Sequence, residues 1–553
     1  MSTIPLDMEK ARSRETLSED QSTIEVPAEP QMELKDGLQP TAASEPKQNP
    51  ELQDPDEYIS GFKLILATGV VALASFTMLL DTSIVVTAIP KITTDFHSLD
   101  DVGWYGSAYL LASSSLQPLT GKFYSQFSSK WTFLVFVGIF ELGSLICGIA
   151  QSSKMLIVGR AVAGMGGSGL MNGGLTILAA CAPPEKRPTL LGFLMGFAQM
   201  GILIGPLLGG ALTEYATWRW CFFINLPIGA LVAVAIFLIH IPDKGAGRVP
   251  LTATIRSVFT VFDIGGFLLF APTMIMFLLA LEWGGTSYAW SSATIIGLFC
   301  GAAGNFALFL WWEYKKGDGA MIPMGMIKRK IVWSSALVSF FVGGVMMISS
   351  YYLAIYFQAV RGKTPTISGV NVLPGIVTNL VFAVLSGIAV TRLGYYLPFS
   401  IFGATLNAVS CGLISTWTPT TSTATWVGYQ ILAGVGRGSS MQMNPIGMAI
   451  IIFAQQFGGS VWLAVASTAF SSSLKKAIGK YAPGVNPQVV IAAGAIGYRE
   501  VVPAASVAGV IKSYNEAVNH NFYIAAGVAV ATFVFSWGMG WKSVKAKKVQ
   551  SAA

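Results

Sequence analysis

From Leu64 onward the chain is a succession of long apolar runs broken by short polar stretches. Roughly 20 apolar residues suffice to cross a bilayer as a helix. Fourteen such runs can be marked: 64–89, 104–124, 131–151, 155–180, 189–213, 221–240, 262–281, 291–312, 332–358, 367–391, 397–417, 425–444, 446–470 and 522–541. In lipid each helix satisfies its own backbone, so the pattern predicts an all-α polytopic membrane protein. Residues 1–60 depart from it. They are rich in Glu, Ser, Pro, Gln and Thr and predict a disordered tail. No basic-then-apolar signal peptide precedes the first run, so the first spanning helix would itself direct insertion.

An even number of spans puts both termini on one side, and charge chooses the side. With the termini inside, the cytoplasmic connections carry Lys122 and Lys130, Lys186 and Arg187, Lys244, Arg248 and Arg256, Lys315, Lys316, Lys328, Arg329 and Lys330. A basic tail follows at 542–553. The short opposite loops hold fewer cations, among them Lys91, Lys154, Arg361 and Lys363, so the excess of positive charge favours cytoplasmic termini. The segment from Lys475 to Asn521 is then an external loop, and Pro483, Gly484, Pro487 and Pro503 predict short helices lying at the outer surface.

Composition changes the picture in two ways. Hydrophobic residues at 53% and charged residues at 11% exclude an ordinary soluble domain. Of the 28 acidic residues, 14 precede Gly61, which leaves a strongly basic body suited to anionic lipid and gives no reason to expect nucleic acid. Cys147, Cys181, Cys221, Cys300 and Cys411 read as small buried apolar residues, and neither they nor His97, His240 and His520 show metal spacing. No phosphate-binding Gly-Lys-Ser loop occurs. The expectation is a carrier, not an enzyme, with no cofactor or metal.

Four charges fall well inside spans, away from their ends, where each is costly and should face protein or water: Asp81, Glu141, Arg160 and Arg437. Arg160 lies about 9 Å and Asp81 about 13 Å from the outer ends of their helices at 1.5 Å per residue, so the two can meet. Asp81, with Glu141, is a candidate for proton exchange while Arg160 biases its ionisation and changes partner. A fixed ion pair that locks two helices is the alternative. Arg437 needs a partner or water, and Glu141 lies at a suitable depth. In the fifth span Gly201, Gly205 and Gly209 fall four apart and form a groove for close helix approach, while Pro206 bends the helix beside it and Gly210 extends the small surface. Gln199, Tyr352, Tyr356, Gln358 and Gln442 are candidates for the wall of a substrate cavity, with Phe340, Phe341 and Phe382 offering flat apolar surface. Packing or interfacial roles compete for any single aromatic.

The sequence Gly201-x-x-x-Gly205-Pro206-x-x-Gly209-Gly210 resembles the antiporter motif in the fifth helix of proton-driven exporters of the major facilitator superfamily. The following Trp218-Arg219-Trp220-x-Phe222-x-Ile224-Asn225-x-Pro227-x-Gly229 looks like a signature of that superfamily's fourteen-spanner drug:proton antiporter branch. Leu80-Asp81-Thr82-Ser83 resembles the branch's first-helix motif, and Gly159-Arg160-Ala161-Val162-Ala163-Gly164 its arginine motif. Gly121 to Lys130 resembles the loop between helices two and three, but Ser125 replaces its aspartate and Ser128 a glycine, so that aspartate's role does not carry over. Leu281-Glu282-Trp283-Gly284-Gly285, Tyr351 to Gly362 and Gly434 to Met443 add further likeness, nearest to fungal efflux pumps for toxins and secondary metabolites.

The resemblance implies two six-helix halves at 61–240 and 331–541, with two extra spans within 241–330. It also implies a monomeric exporter that exchanges a small amphipathic molecule for protons, with Gly201 to Gly210 at the contact of the halves. The plasma membrane is the expected site and the vacuolar membrane the second. A non-transporting receptor on the same fold, or a carrier of amino acids or siderophores, stays open, although the antiporter motif argues against uptake. One departure stands out: Asn444-Pro445 runs almost directly into the thirteenth span, where family members have a short loop. Either helix twelve ends early and Ser439 to Gly447 forms the turn, or a segment has been lost and the product is impaired.

Overall fold

A computed structural model describes residues 59, 61–183, 186–242, 263–285, 287–317, 329–440 and 448–541. The N-terminal tail, the basic connection around Arg248 and the short link at 441–447 lie outside the described residues, and so does Gln442. The first half of the chain contributes α1 (Gly61–Asp95), α2 (Val102–Gln126), α3 (Ser129–Gly148), α4 (Ser153–Cys181), α5 (Arg187–Tyr215) and α6 (Asn225–Leu238), the last entered through a single turn at Trp220–Phe223. Next come α7 (Ile264–Trp283) and α8 (Ala293–Lys316). The second half contributes α9 (Lys330–Ile355), α10 (Pro365–Leu393), α11 (Leu397–Ile414), α12 (Thr423–Ser440), α13 (Met448–Tyr481), α14 (Pro487–Val501) and α15 (Ala504–Ser536).

Among the described residues eleven helices are long and apolar enough to cross a membrane. The expected spans two, four and twelve are helical too, as α2, α4 and α12. Ser, Gly and Thr dilute their hydropathy. On α4 this has a packing reason: a Cβ at Gly166 would strike the backbone of Phe140, and from α3 one at Gly143 would strike that of Ala163, so α3 and α4 touch almost main chain to main chain. The expected loop from Lys475 to Asn521 is shorter than its sequence suggests. Helix α13 continues to Tyr481 and α15 begins at Ala504, leaving between them α14, which Gly494, with φ of 77°, breaks into two short helices as expected. The extensions hold each other through Lys480 with Glu516 at 3.6 Å and Lys512 over the Tyr481 ring. Four of the five cysteines are buried as expected; Cys300 is exposed, because it lies on the outward side of peripheral α8.

The cores describe the arrangement of the halves. At the α14 end one continuous core spans both: Ile84, Ile89 and Ile92 of α1 share it with Ile348, Tyr352 and Phe357, with Trp417 and with Tyr498 of α14. Toward the other end the buried members separate. Phe133, Phe136, Ile177 and Ile236 form a core within α1–α6, and Val332, Val338, Tyr396 and Met539 form another within the second half. The two halves are therefore joined at the α14 end and have independent cores at the far end. Helix α7 lies across their flank, where Phe270, Met274 and Leu278 join Leu111 of α2, Phe309 of α8 and Val461 of α13 in a fourth core.

Candidate transport site

Asp81 sits two-thirds of the way along α1 and is completely buried. Arg160 of α4, 1% exposed, donates from Nη1 to Asp81 Oδ2 at 2.5 Å and from Nε to the Tyr105 carbonyl at 2.9 Å. The other carboxylate oxygen accepts from the Asn225 amide at 2.9 Å, and the same amide lies 3.1 Å from the Ser144 hydroxyl. The Tyr109 ring lies 4.5 Å beneath the guanidinium. The expected meeting of Asp81 and Arg160 is present, and five helices contribute to it: α1, α2, α3, α4 and the start of α6. Asn225 was legible only as part of a signature; its role as the neutral partner of an intramembrane acid needed coordinates.

Glu141 does not join this group. It faces Gly229 of α6, where any Cβ would collide with its carboxylate, and its Oε2 is buried without a hydrogen-bond partner. No ion pair links it to Arg437 among the described residues. Depth alone suggested that pair, but Glu141 points between α3 and α6 while Arg437 lies across the molecule on α12.

The glycine motif divides between two neighbours. Gly201, Gly205 and Gly209 face α1, where added Cβ atoms would meet the Phe76 carbonyl, the Ser83 side chain and the Ile84 carbonyl. The Ser83 hydroxyl lies 3.0 Å from the Gly201 carbonyl, and Thr87 lies 3.3 Å from that of Pro206. Pro206 and Gly210 face α10 instead: a Cβ on Gly210 would meet Pro365 and Thr366, and one on Gly369 would meet the Pro206 carbonyl. The expectation that Gly201 to Gly210 as a whole lies between the halves is corrected accordingly. Residues four apart share a face, whereas 206 and 210 are turned about 100° from 205 and 209 and meet a different helix.

Between the halves lies a cavity enclosing about 740 Å³, counting its open side. Thr82, Ser83 and Val86 of α1 and Ile202 and Pro206 of α5 line one wall; Met346, Met347 and Ser350 of α9, Ile376 and Asn379 of α10 and Arg437 of α12 line the other. Thr82 and Ser83 directly follow Asp81, so the buried ion pair is separated from the cavity by the backbone of α1. Of the described residues expected to line a substrate site, Tyr352, Tyr356, Gln358 and Gln199 are placed elsewhere. Tyr352 and Tyr356 are fully buried in the core at the α14 end, with the Tyr356 hydroxyl donating to the Thr418 carbonyl at 2.7 Å. Gln358 donates across the halves to the Thr87 carbonyl at 3.0 Å. Gln199, half-buried on α5, is not on the wall. The π-helical turn Tyr356–Val360 rotates this stretch into the closure, a shift that a helical count of the sequence does not show. The methionines and Asn379, which do line it, carry no distinctive sequence signal, and Thr82 and Ser83 stand out only as part of the first-helix motif.

The profile of the Major Facilitator Superfamily matches residues 71–474. The chain belongs to the Major Facilitator Superfamily. Its curated relatives in the superfamily include the MFS-type transporter pigP of Monascus ruber, 51% identical over 92% of this chain and 90% of that one. Another is the efflux pump mlcE of Penicillium citrinum, 50% identical over 92% of this chain and 96% of the relative. Among solved structures, a bacterial homologue of the human lysosomal transporter Spinster superposes with a TM-score of 0.59 at 15% identity, covering 87% of this chain and 98% of that one, which shows the shared fold. As a member of the Major Facilitator Superfamily the chain is a multi-pass membrane transporter of small molecules and not an enzyme.

Proposed function

We propose that the chain exports a small amphipathic molecule in exchange for protons, as a monomer with both termini in the cytoplasm and without a cofactor. In this reading the α14 end faces outward and the end with separate cores faces the cytoplasm, so the described state loads substrate from inside. The plasma membrane is the proposed location. Relatives named as efflux pumps support the direction of transport, and an apolar cavity with a few polar groups supports an amphipathic cargo.

The observation that carries proton coupling is the placement of Asp81. Its carboxylate is held by Arg160 and Asn225, and the next two residues form the cavity wall. Protonating Asp81 removes the charge that holds Arg160. The guanidinium then keeps the Tyr105 carbonyl and the face of Tyr109 as neutral partners, and the α1–α4 contact is free to change. Binding of cargo against Thr82 and Ser83 presses on the same segment of α1. Proton and cargo thus compete through one stretch of helix.

The test uses cells lacking their own pumps, loaded with lipophilic dyes of negative, zero and positive charge. Expression of the chain should accelerate loss of at least one dye, and a protonophore should abolish the acceleration. Asp81→Asn should lower coupled export on the order of tenfold or more, the scale of losing a proton-transfer group, at unchanged membrane abundance. Full protonophore-sensitive export by that variant would overturn the proton role.

A further inference from the structure

Among the described residues lining the cavity Arg437 is the only charged one; it is nine-tenths buried, and its Nε has no hydrogen-bond partner. No ion pair reaches it among the described residues. The sequence explains why none could come from its own half: from Gly319 to Arg499 there is not one Asp or Glu. The half's two acids, Glu500 and Glu516, are exposed on α14 and α15 at the far side of the closure. Across the cavity, Asp81 is engaged by Arg160 and Asn225, and Glu141 faces Gly229.

A guanidinium removed from water without a counter-charge is costly, and a protein keeps one where something completes it. Two amide oxygens beside it are also unsatisfied: Asn379 Oδ1, on the cavity-lining face of α10, and Gln430 Oε1, which with Arg437 Nη2 borders Gly375. At such an amide the donor and acceptor ends are interchangeable by rotation, so Asn379 can present N–H as readily as C=O. The rest of the wall is apolar, with Ile202, Met346, Met347 and Ile376 extending from this polar corner.

We infer that Arg437 is the anion-recognition residue of the cavity, and that the cargo is an amphipathic molecule with a carboxylate head, bound by Arg437 and Asn379, and an apolar body laid against the methionines. This rests on the export reading and narrows its substrate class. It also gives the two halves different work: α1 carries the acid that exchanges protons, and α12 carries the cation that reads cargo. A planar guanidinium matches a carboxylate through two parallel hydrogen bonds, which a lysine cannot reproduce.

Full-length protein purified in detergent is titrated with 1-pyrenebutyric acid, an anion at neutral pH, and with its uncharged methyl ester. The acid should bind about tenfold more tightly than the ester, the scale of a charge-assisted hydrogen bond. Arg437→Gln should lower the acid to the ester's affinity and change the ester by no more than about twofold. Arg437→Lys should keep only part of the preference. The wild-type comparison stands even where a variant fails to fold. Equal or absent binding of acid and ester by wild type, or equal weakening of both by Arg437→Gln, would overturn the assignment. Transport of the acid into proteoliposomes under a proton gradient separates the two readings. Acid-selective binding without transport removes the export reading and leaves the recognition role; transport without acid preference does the reverse.

Discussion

Asp263 shows how much one side chain outside the bilayer can organise. It precedes α7 with a left-handed backbone, caps the helix at the Gly266 N–H, accepts from Trp312 Nε1 at 2.7 Å and pairs with Lys316 at 2.8 Å, tying α7 to α8. Burial works to raise its pKa, but the bonds from Lys316, Trp312 and Gly266 outweigh it and hold the carboxyl below its ordinary value. A depressed carboxyl pKa contributes stability above the unfolded value of 3.8, and that contribution is lost as pH falls through the folded value. Asp263→Asn should therefore cost about 1 to 2 kcal/mol at neutral pH, with the difference in unfolding midpoint from wild type shrinking below about pH 4. A midpoint difference independent of pH would mean that shape and not charge sets the cap. At this scale the sequence made charged residues visible and their neutral partners invisible: Asp81 and Arg160 stand out in an apolar run, while Asn225, Ser144 and Asn379 look like any polar residue until the helices converge.

Helix α5 separates the legible from the illegible at the next scale. Its glycine spacing dictates a bare stripe, and the bare stripe exists. Which helix fills it depends on tertiary packing that no local period encodes. Since Gly205 meets Ser83 inside one half, Gly205→Leu should fail as a fold defect: overpacking of about 1 to 3 kcal/mol, seen as reduced membrane abundance and a lower unfolding midpoint. Gly369→Leu, which would strike the Pro206 carbonyl across the halves, should instead leave abundance unchanged and abolish export by holding the α14 end apart. Reversed outcomes for the two variants would reassign the stripe. The helices themselves were largely readable, because a span advertises itself by length and hydropathy. The ends of α13 and α15 were not, since Lys480, Lys512 and Glu516 extend them by side-chain contacts between helices distant in sequence.

For the molecule as a whole, α14 is the clasp of the closed end. By chain connection it belongs with α13 and α15. It bonds to the second half where Tyr498 and Arg499 donate to the Ala359 carbonyl, and to the first where the Ala492 carbonyl meets His97 Nδ1 at 2.8 Å. A Cβ at Gly497 would lie 4.0 Å from that of Thr94, within the range a disulfide spans. Thr94→Cys with Gly497→Cys should cross-link under mild oxidant, stop export and regain it with reductant; continued export by the cross-linked protein would show that α14 travels with α1. None of this was legible from Pro483 to Pro503 in the sequence beyond the expectation of short helices at the outer surface.

The position of α7 has one more consequence. A lipophilic molecule dissolved in the bilayer does not meet a symmetrical barrel. On one flank the junction of α2 and α13 is roofed by Phe270, Met274 and Leu278, with α8 behind them. On the other, α5 and α10 touch through Pro206, Gly210 and Gly369, and no flanking helix among the described residues packs across that contact. Among the described residues the transporter has a walled back and a bare front, and hydrocarbon reaches the meeting line of its halves from the front.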